Sequence, residues 1–314
     1  MASNNLDKET TDVIKYFAEQ IRDDKTIKSS HWERELSSYS LEEAILGKEF
    51  GYGRNVKRRK LSSAMHSVGV YWLQRRLGIS ADSNLWTAAK ENCRIQGRAF
   101  DIDVWRHIHT LSFLLDGLDS ASIFRGAVIG DGQANFSSLF FTAFPSAIVL
   151  FNVNLPEVLI NEYLQLKKLN KNSGFELVTL PNYLKDRYAS TKRLIVFCTP
   201  EQFTTNFKES IDLYVNIASF QEMRLEMIQK YFESMRTSTG KGFVYTCNRV
   251  SKTLPGGEVI RFDGFPFVPS DVDLVAAEPC LWQKELYTLK YPFIRPYDGE
   301  SLHRLTRLNL NQDV

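Results

Sequence analysis

The stretch that decides the fold is RGAVIGDGQANFSSLF, residues 125–140, in which a short apolar run leads into a Gly-x-Gly turn and then into a second apolar segment. The small apolar residues 127–129 suit a strand that is buried in a parallel sheet. Gly130 and Gly132 suit the turn, because a residue without Cβ adopts left-handed backbone angles and lets a ligand approach the main chain. We expect a helix over 134–143 whose first N–H groups face an anion. The stretch therefore predicts a ligand-binding loop at the end of a parallel strand.

Composition places the chain among ordinary globular proteins. Its 314 residues are 43% hydrophobic and 24% charged, which allows one large domain or a core domain with an added layer. The net charge of +2 does not call for a nucleic-acid partner. Four widely spaced cysteines without a C-x-x-C pair fit reduced thiols and no metal site.

The expected location is the cytoplasm. Residues 1–22 lack the apolar core of a signal peptide. The most apolar window, 136–153, is interrupted by Pro145 and divides into a helix and a strand, so no membrane span is expected.

Periodicity divides the chain into two regions. Residues 1–120 predict a helical region that serves as a cap over a substrate or as an oligomerisation surface, and residues 121–314 predict an α/β domain. The predicted helices of the first region are 7–23, 30–47, 56–77, 82–96 and 101–116. The second region alternates strands at 126–129, 147–153, 194–198, 213–217 and 243–247 with helices at 134–143, 156–170, 201–208 and 221–236.

The C-terminal part breaks this alternation. The runs 242–250 and 258–267, joined across a Pro-Gly-Gly turn at 255–257, predict an antiparallel hairpin. A mostly parallel sheet that ends in an antiparallel hairpin suits methyltransferases that use S-adenosylmethionine. Residues 282–310 could return to cover the site.

Ligands of such sheets bind at the carboxyl ends of the strands, and four of these ends carry unusual polar sequences. They are GDGQA at 130–134, NVNLPE at 152–157, NIASFQEM at 216–223 and YTCNR at 245–249.

Together these segments resemble a family of sugar O-methyltransferases, with a Gly-x-Gly loop, an Asp-Leu-Pro-Glu segment, an Asn-x-x-Ser-x-x-Glu-Met segment and a hairpin with Tyr-x-x-Asn-Arg. The match covers roughly residues 120–270. The resemblance implies a Rossmann-like methyltransferase sheet, S-adenosylmethionine as cofactor, and a saccharide or nucleotide-sugar substrate of the kind used in polysaccharide biosynthesis. It implies cofactor binding by Gly130, Asp131, Gly132, Gln133, Asn154, Leu155 and Asn216, and substrate binding by Ser219, Tyr245, Asn248 and Arg249.

Two positions depart from the family. It usually has an acid at the end of the first strand and another at the end of the second, where this chain has Val128 and Asn154. The second acid accepts hydrogen bonds from ribose hydroxyls, and Asn154 can still accept through its carbonyl oxygen. Asp131 could replace the acid that is missing at Val128.

Methyl transfer to a hydroxyl needs in-line positioning and a group that takes the proton. Glu222 is the first choice as base because it follows the fourth predicted strand, with His66 and His107 as competitors. The basic run 54–60 could contact a phosphorylated acceptor or RNA, or be a solvated face.

Two other functions remain open. One is a binding or scaffold protein that kept the sheet and lost productive cofactor binding, which the two departures would explain. The other is a nicotinamide-dependent oxidoreductase that uses the same Gly-x-Gly loop, against which stand Ala134 at the third glycine position, the missing ribose acid and the hairpin.

Overall fold

The computed structural model describes residues 6–42, 60–186, 192–205, 207–288 and 291–310. Within them, an eight-stranded, mostly parallel sheet carries helices on its faces, and a helical N-terminal region packs against it. None of the described helices combines the length and the apolar character needed to span a membrane.

Five helices make up the N-terminal region that the structure describes. Those expected at 7–23, 82–96 and 101–116 are confirmed within one residue, and each begins after an aspartate whose side chain accepts backbone N–H bonds. The helix expected at 30–47 ends at Leu36, and the one expected at 56–77 is described from Lys60 onward. The helices are α1 Lys8–Asp23, α2 Ser30–Leu36, α3 Lys60–Leu77, α4 Ser83–Gln96 and α5 Ile102–Gly117.

The sheet has the strand order β3-β4-β2-β1-β5-β6-β12-β9. Strands β1 to β6 run parallel, whereas β12 is antiparallel to both of its neighbours. The bounds are β1 Arg125–Ile129, β2 Val149–Val153, β3 Phe175–Thr179, β4 Arg193–Cys198, β5 Leu213–Ile217, β6 Phe243–Arg249, β9 Val272–Pro279 and β12 Ser301–Arg307. All five predicted strands are present, and the sheet is a Rossmann-like, mostly parallel α/β sheet.

Three features of the sheet differ from the expectation. The predicted hairpin exists, but it is the separate two-stranded pair β7 Ser251–Thr253 and β8 Val259–Arg261. The antiparallel strand of the main sheet is β12, from the C-terminal segment. Strand β3 escaped prediction because its five residues directly follow a long amphipathic helix and alternate buried with half-buried positions.

The remaining helices connect the strands. They are α6 Phe140–Ala143, α7 Pro156–Ser173, α8 Leu180–Asp186, α9 Pro200–Thr205 and α10 Leu225–Arg236. A short pair, β10 Glu285–Tyr287 and β11 Ile294–Pro296, lies before β12.

The helical region and the sheet share one core. Phe17 of α1 packs edge-on against Phe197 of β4, with ring centroids 6.2 Å apart, and both rings are fully buried. Trp105 and Leu111 of α5 belong to the same apolar cluster as Val128 of β1. The N-terminal helices therefore cover the sheet through apolar burial, the main favourable contribution to folding.

Candidate active site

A cavity of about 270 Å³ opens at the carboxyl ends of β2, β1, β5 and β6. The first turn of α5 and residues 297 and 298 of the C-terminal segment complete its wall. The cavity brings together most of the residues singled out from the sequence: His107, Gly130, Asp131, Gly132, Gln133, Asn154, Ser219, Glu222 and Arg249.

The two glycines of the loop after β1 are required for different reasons. Gly130 has φ 77°, and a Cβ there would overlap the Ser219 side chain. Gly132 has φ 71°, and no atom lies within 4 Å of the position that its Cβ would occupy. Gly130 therefore permits close packing of two loops, whereas Gly132 leaves an open stretch of backbone at the cavity.

The helix expected at 134–143 is wrong over its first half. Residues 132–139 form successive turns, and α6 begins only at Phe140. The Asp131 carboxylate accepts hydrogen bonds from the N–H groups of Phe136 (2.9 Å) and Ser137 (2.7 Å). These N–H groups are therefore satisfied by the loop's own acid, and the expected anion site at a helix N-terminus is absent from this part of the described chain.

His107, on α5, faces the loop that follows β1. Its Nδ1 lies 2.7 Å from the Asp103 carbonyl oxygen, which can only accept, so Nδ1 carries the proton. In the neutral ring Nε2 is then unprotonated, and it lies 3.7 Å from Asp131 Oδ1. Nε2 is therefore the acceptor nitrogen of the ring, and it lies beside the Asp131 carboxylate.

Asn154 is tied to a buried acid that the sequence analysis missed. Its Nδ2 donates to Glu162 Oε1 at 2.8 Å, and its Oδ1 accepts from Leu155 N at 2.9 Å. Glu162 is fully buried on α7. Burial and the neighbouring Asp131 charge hold the pKa of Glu162 well above its usual range, despite the hydrogen bond from Asn154.

Glu222 is held in a different setting. Lys252 Nζ lies 2.6 Å from one of its carboxylate oxygens, and His31 Nε2 lies 3.4 Å from the other. Burial raises the pKa of Glu222, but the hydrogen bond from His31 and the Lys252 charge outweigh it and bring the pKa below its usual value. Glu222 is therefore an ionised carboxylate with two partners rather than a strong base.

Three predicted residues lie behind the cavity wall. Asn216 is 1% exposed, and its Nδ2 donates to the Ile129 carbonyl while its Oδ1 accepts from Phe220 N and Asn248 Nδ2. Asn248 in turn accepts from Gln221 N. These two amides fix the loop after β5 and shape the wall from outside. Leu155 lines a smaller neighbouring recess of about 30 Å³.

His66 and Tyr245, for which a base and a substrate-binding role were expected, line neither of these two cavities. His66 is hydrogen-bonded through Nδ1 to the Tyr287 hydroxyl. Tyr245 is fully buried in the core, and its hydroxyl faces His303 Nδ1 at 3.3 Å. Most of the basic run 54–60 lies outside the described residues.

Further cavity residues carried no usable sequence signal. Trp32 and Arg106 come from helices, and Tyr297 comes from a loop next to β11. His31 and Lys252 both contact Glu222, although strands β1 to β6 lie between them in the sequence. Only the tertiary fold places these residues, which are distant in sequence, next to one another. The general expectation that residues 282–310 return to the site is met at Gln283, Tyr297 and Asp298.

No protein-family model matches the chain, and no curated protein matches it either. Several solved structures are similar to it. A Thermoplasma acidophilum protein is 9% identical with a TM-score of 0.41, and the match covers 72% of this chain and 99% of that one. Magnesium protoporphyrin IX methyltransferase from Synechocystis, crystallised with SAH, is 10% identical with a TM-score of 0.38, covering 77% and 95%. A SAM-dependent methyltransferase from Leishmania major is 11% identical with a TM-score of 0.35, covering 65% and 80%.

Proposed function

We propose that the chain is an S-adenosylmethionine-dependent methyltransferase that acts on a hydroxyl group of a saccharide. The observation that carries the proposal is the cavity at the carboxyl ends of β2, β1 and β5, with Gly132 left open at the loop after β1. In open α/β sheets this edge is where ligands bind.

The hydrogen-bonding groups of the cavity suit S-adenosylmethionine. Gln133 is 3% exposed and lines the cavity, and its Nε2 has no hydrogen-bond partner among the described residues. Such a buried amide donor suits the carboxylate of a bound amino acid moiety. Gly130, Gly132, Gln133 and Asn154 would hold the cofactor, with the Asn154 carbonyl oxygen as acceptor for a hydroxyl. When bound, S-adenosylmethionine supplies a methyl group on a sulfonium centre.

His107 replaces Glu222 as the proposed base. Its Nδ1 faces the Asp103 carbonyl oxygen, which leaves Nε2 as the ring nitrogen that would accept a proton from a substrate hydroxyl, and Nε2 lies 3.7 Å from the Asp131 carboxylate. Glu222 is already ionised and paired, so we assign it to positioning Lys252 and His31 at the cavity wall.

A saccharide fits the polar wall. Gln221, Gln283 and Asn135 line the cavity next to Ser219, and amides and hydroxyls are suited to hydroxyl-rich ligands. The motif resemblance to sugar O-methyltransferases supports the same substrate class.

One observation favours a second function, a binding protein without methyl transfer. The position that usually carries the ribose-binding acid is Asn154, and both ends of its amide already have partners, Glu162 and Leu155 N. Neutral hydrogen bonds are roughly half as strong as charge-assisted ones, so affinity for the cofactor would be lower. A nicotinamide cofactor is not proposed, because no helix begins directly after the Gly-x-Gly loop to receive its pyrophosphate.

Calorimetric titration with S-adenosylhomocysteine decides between the two. We expect saturable binding by the parent protein and its loss in Gly132→Arg, whose side chain would fill the cavity. Gly174→Arg is the matched control, because Gly174 also has positive φ, here 66°, and open space around its Cβ position, but it ends α7 away from the cavity. A folded parent that does not bind at millimolar ligand would favour the binding protein.

The role of His107 is tested by kinetics. His107→Gln should lower kcat for methyl transfer by about a hundredfold and leave S-adenosylhomocysteine affinity unchanged, since a positioned base contributes about that much. His66→Gln, outside the cavity, should leave kcat unchanged. An unaltered kcat in His107→Gln would reject His107 as the base.

A further inference from the structure

Basic side chains gather at the β6 end of the cavity. Arg249 is the last residue of β6, Lys252 lies in the hairpin that follows, and Arg106 reaches in from α5. All three line the cavity. Lys252 is paired with Glu222. Arg106 donates from Nε to the Trp282 carbonyl oxygen at 3.3 Å and from Nη2 to the Glu285 carbonyl oxygen at 3.4 Å.

The two arginines share one aromatic ring. The Cζ atom of Arg106 lies 4.4 Å from the centre of the Tyr297 ring, and that of Arg249 lies 5.1 Å from it. Cation–π contacts of this length hold guanidinium groups in place without using their N–H groups. Arg106, Arg249 and Tyr297, the arginine–tyrosine cluster, are therefore a preformed cationic site.

The carboxylates nearest these arginines are at the surface. Asp298 lies 3.4 Å from Arg249 with 89% of its side chain exposed, and Asp103 lies 3.6 Å from Arg106 with 40% exposed. Exposed pairs of this kind contribute little to stability. The Arg249 Nε atom is buried and has no hydrogen-bond partner within the described parts of the chain. The cluster thus has donor capacity that a ligand anion could use.

The cluster lies apart from the glycine loop. In the sheet order β5 separates β6 from β1, and neighbouring strands are about 4.8 Å apart, so the end of β6 lies roughly 10 Å from the end of β1. Asn154 lies on the opposite side of β1, after β2. A ligand group at the cluster is therefore distinct from one above Gly132 and Asn154.

We propose that the arginine–tyrosine cluster binds a phosphate group of the acceptor, so that the substrate is a phosphorylated saccharide. The proposal rests on the proposed function for the identity of the acceptor. Guanidinium groups match the geometry of phosphate oxygens, and a phosphate, unlike a neutral sugar hydroxyl, forms charge-assisted hydrogen bonds with the Arg249 Nε donor.

Calorimetry with glucose 1-phosphate, inorganic phosphate and uncharged glucose tests it. We expect both phosphates to bind more tightly than glucose. Arg249→Gln should weaken glucose 1-phosphate binding by about tenfold, as expected for loss of a charged hydrogen bond. Asp298→Asn should strengthen it by about threefold, because a competing negative charge is removed. Arg304→Gln is the matched control: Arg304 stacks on Phe267 at 4.0 Å and pairs with Asp273, and it does not line the cavity.

The outcomes separate the two proposals. If S-adenosylhomocysteine binds but neither phosphate does, or if Arg249→Gln binds glucose 1-phosphate as the parent does, the phosphate site is rejected and the proposed function stands. If Arg249→Gln weakens S-adenosylhomocysteine but not 5′-methylthioadenosine, which lacks the amino acid moiety, the cluster holds the cofactor carboxylate and the proposal is overturned. If the phosphates bind and S-adenosylhomocysteine does not, the proposed function fails and the anion site remains. Unchanged thermal unfolding of each variant confirms that it is folded.

Discussion

Two buried glutamates lie at opposite ends of the cavity, and their pKa values shift in opposite directions. Glu162, under the loop after β1, has its pKa raised by burial and by Asp131. Glu222, near the end of β6, is also buried, yet its pKa is lowered because His31 and Lys252 outweigh the effect of burial. Burial is the largest single influence on both, so the neighbouring charges decide the direction.

This difference divides the cavity by chemistry. At the β1 end, amides and glycine backbone surround an acid that favours its neutral form, so neutral hydrogen-bonding groups rather than cations would hold a ligand there. At the β6 end, cations keep the acid ionised and supply charge for recognition. Substitutions at the β1 end should change the shape of the cavity and the protonation of Glu162. Substitutions at the β6 end should change its charge.

The largest expected effect comes from removing the cation that keeps Glu222 ionised. Lys252→Met leaves a buried carboxylate with His31 alone, and loss of one partner of a buried pair costs about 3 kcal/mol of unfolding free energy. Urea denaturation at pH 7 measures it. The matched control is Lys192→Met, whose equally short 2.7 Å pair with Glu176 is exposed and should contribute less than about 1 kcal/mol. Equal losses of unfolding free energy in Lys252→Met and Lys192→Met would contradict the view that cations at the β6 end keep a buried acid ionised.

A smaller effect is expected from neutralising Glu222. Glu222→Gln should destabilise the protein by about 2 kcal/mol at pH 7, the contribution of charged hydrogen bonds. Because the folded pKa lies below the ordinary 4.5, this stability is present above pH 4.5 and is lost as the pH falls through the folded pKa. The gap between parent and variant in urea denaturation should therefore close on acidification. A gap that is constant with pH would show that Glu222 is not the titrating group.

The smallest effect has the opposite sign. Because the folded pKa of Glu162 is raised, the unfolded chain gives up its proton first, and the parent loses stability as the pH rises above 4.5. Glu162→Gln keeps a neutral side chain and should be more stable than the parent by about 1 kcal/mol at pH 8, with the difference growing between pH 4 and pH 8. Glu201→Gln, at an exposed position of α9, is the matched control. A destabilised Glu162→Gln at pH 8 would mean that Glu162 is ionised in the folded protein.

Local sequence was enough for the strands and for several helices. The apolar run before Gly130 predicts β1 within one residue, and aspartates before α1, α4 and α5 mark where these helices begin. It was not enough for the loop after β1. Asp131 reaches the N–H groups five and six residues ahead, and the chain turns there instead of starting a helix.

The site was predictable only in part. Gly130, Gly132 and Asn154 were found because they follow strands, and strand ends meet at one edge of a parallel sheet. Glu162 was missed because it lies within a helix, where a glutamate usually faces solvent. Lys252 was missed because it lies in a short hairpin outside the sheet, 30 residues after the glutamate it contacts.

The sequence by itself determined the mostly parallel α/β sheet, the Gly-x-Gly loop and the set of strand ends that line the cavity, because these follow from hydrophobic pattern and from the backbone freedom of glycine. Only the tertiary structure decided that His107 faces Asp131, that Glu162 is buried beside Asp131 and that Arg106 and Arg249 share the Tyr297 ring. The reason is physical: a side chain's protonation and partners depend on burial and on charges brought close from distant parts of the chain, and neither is visible in local sequence.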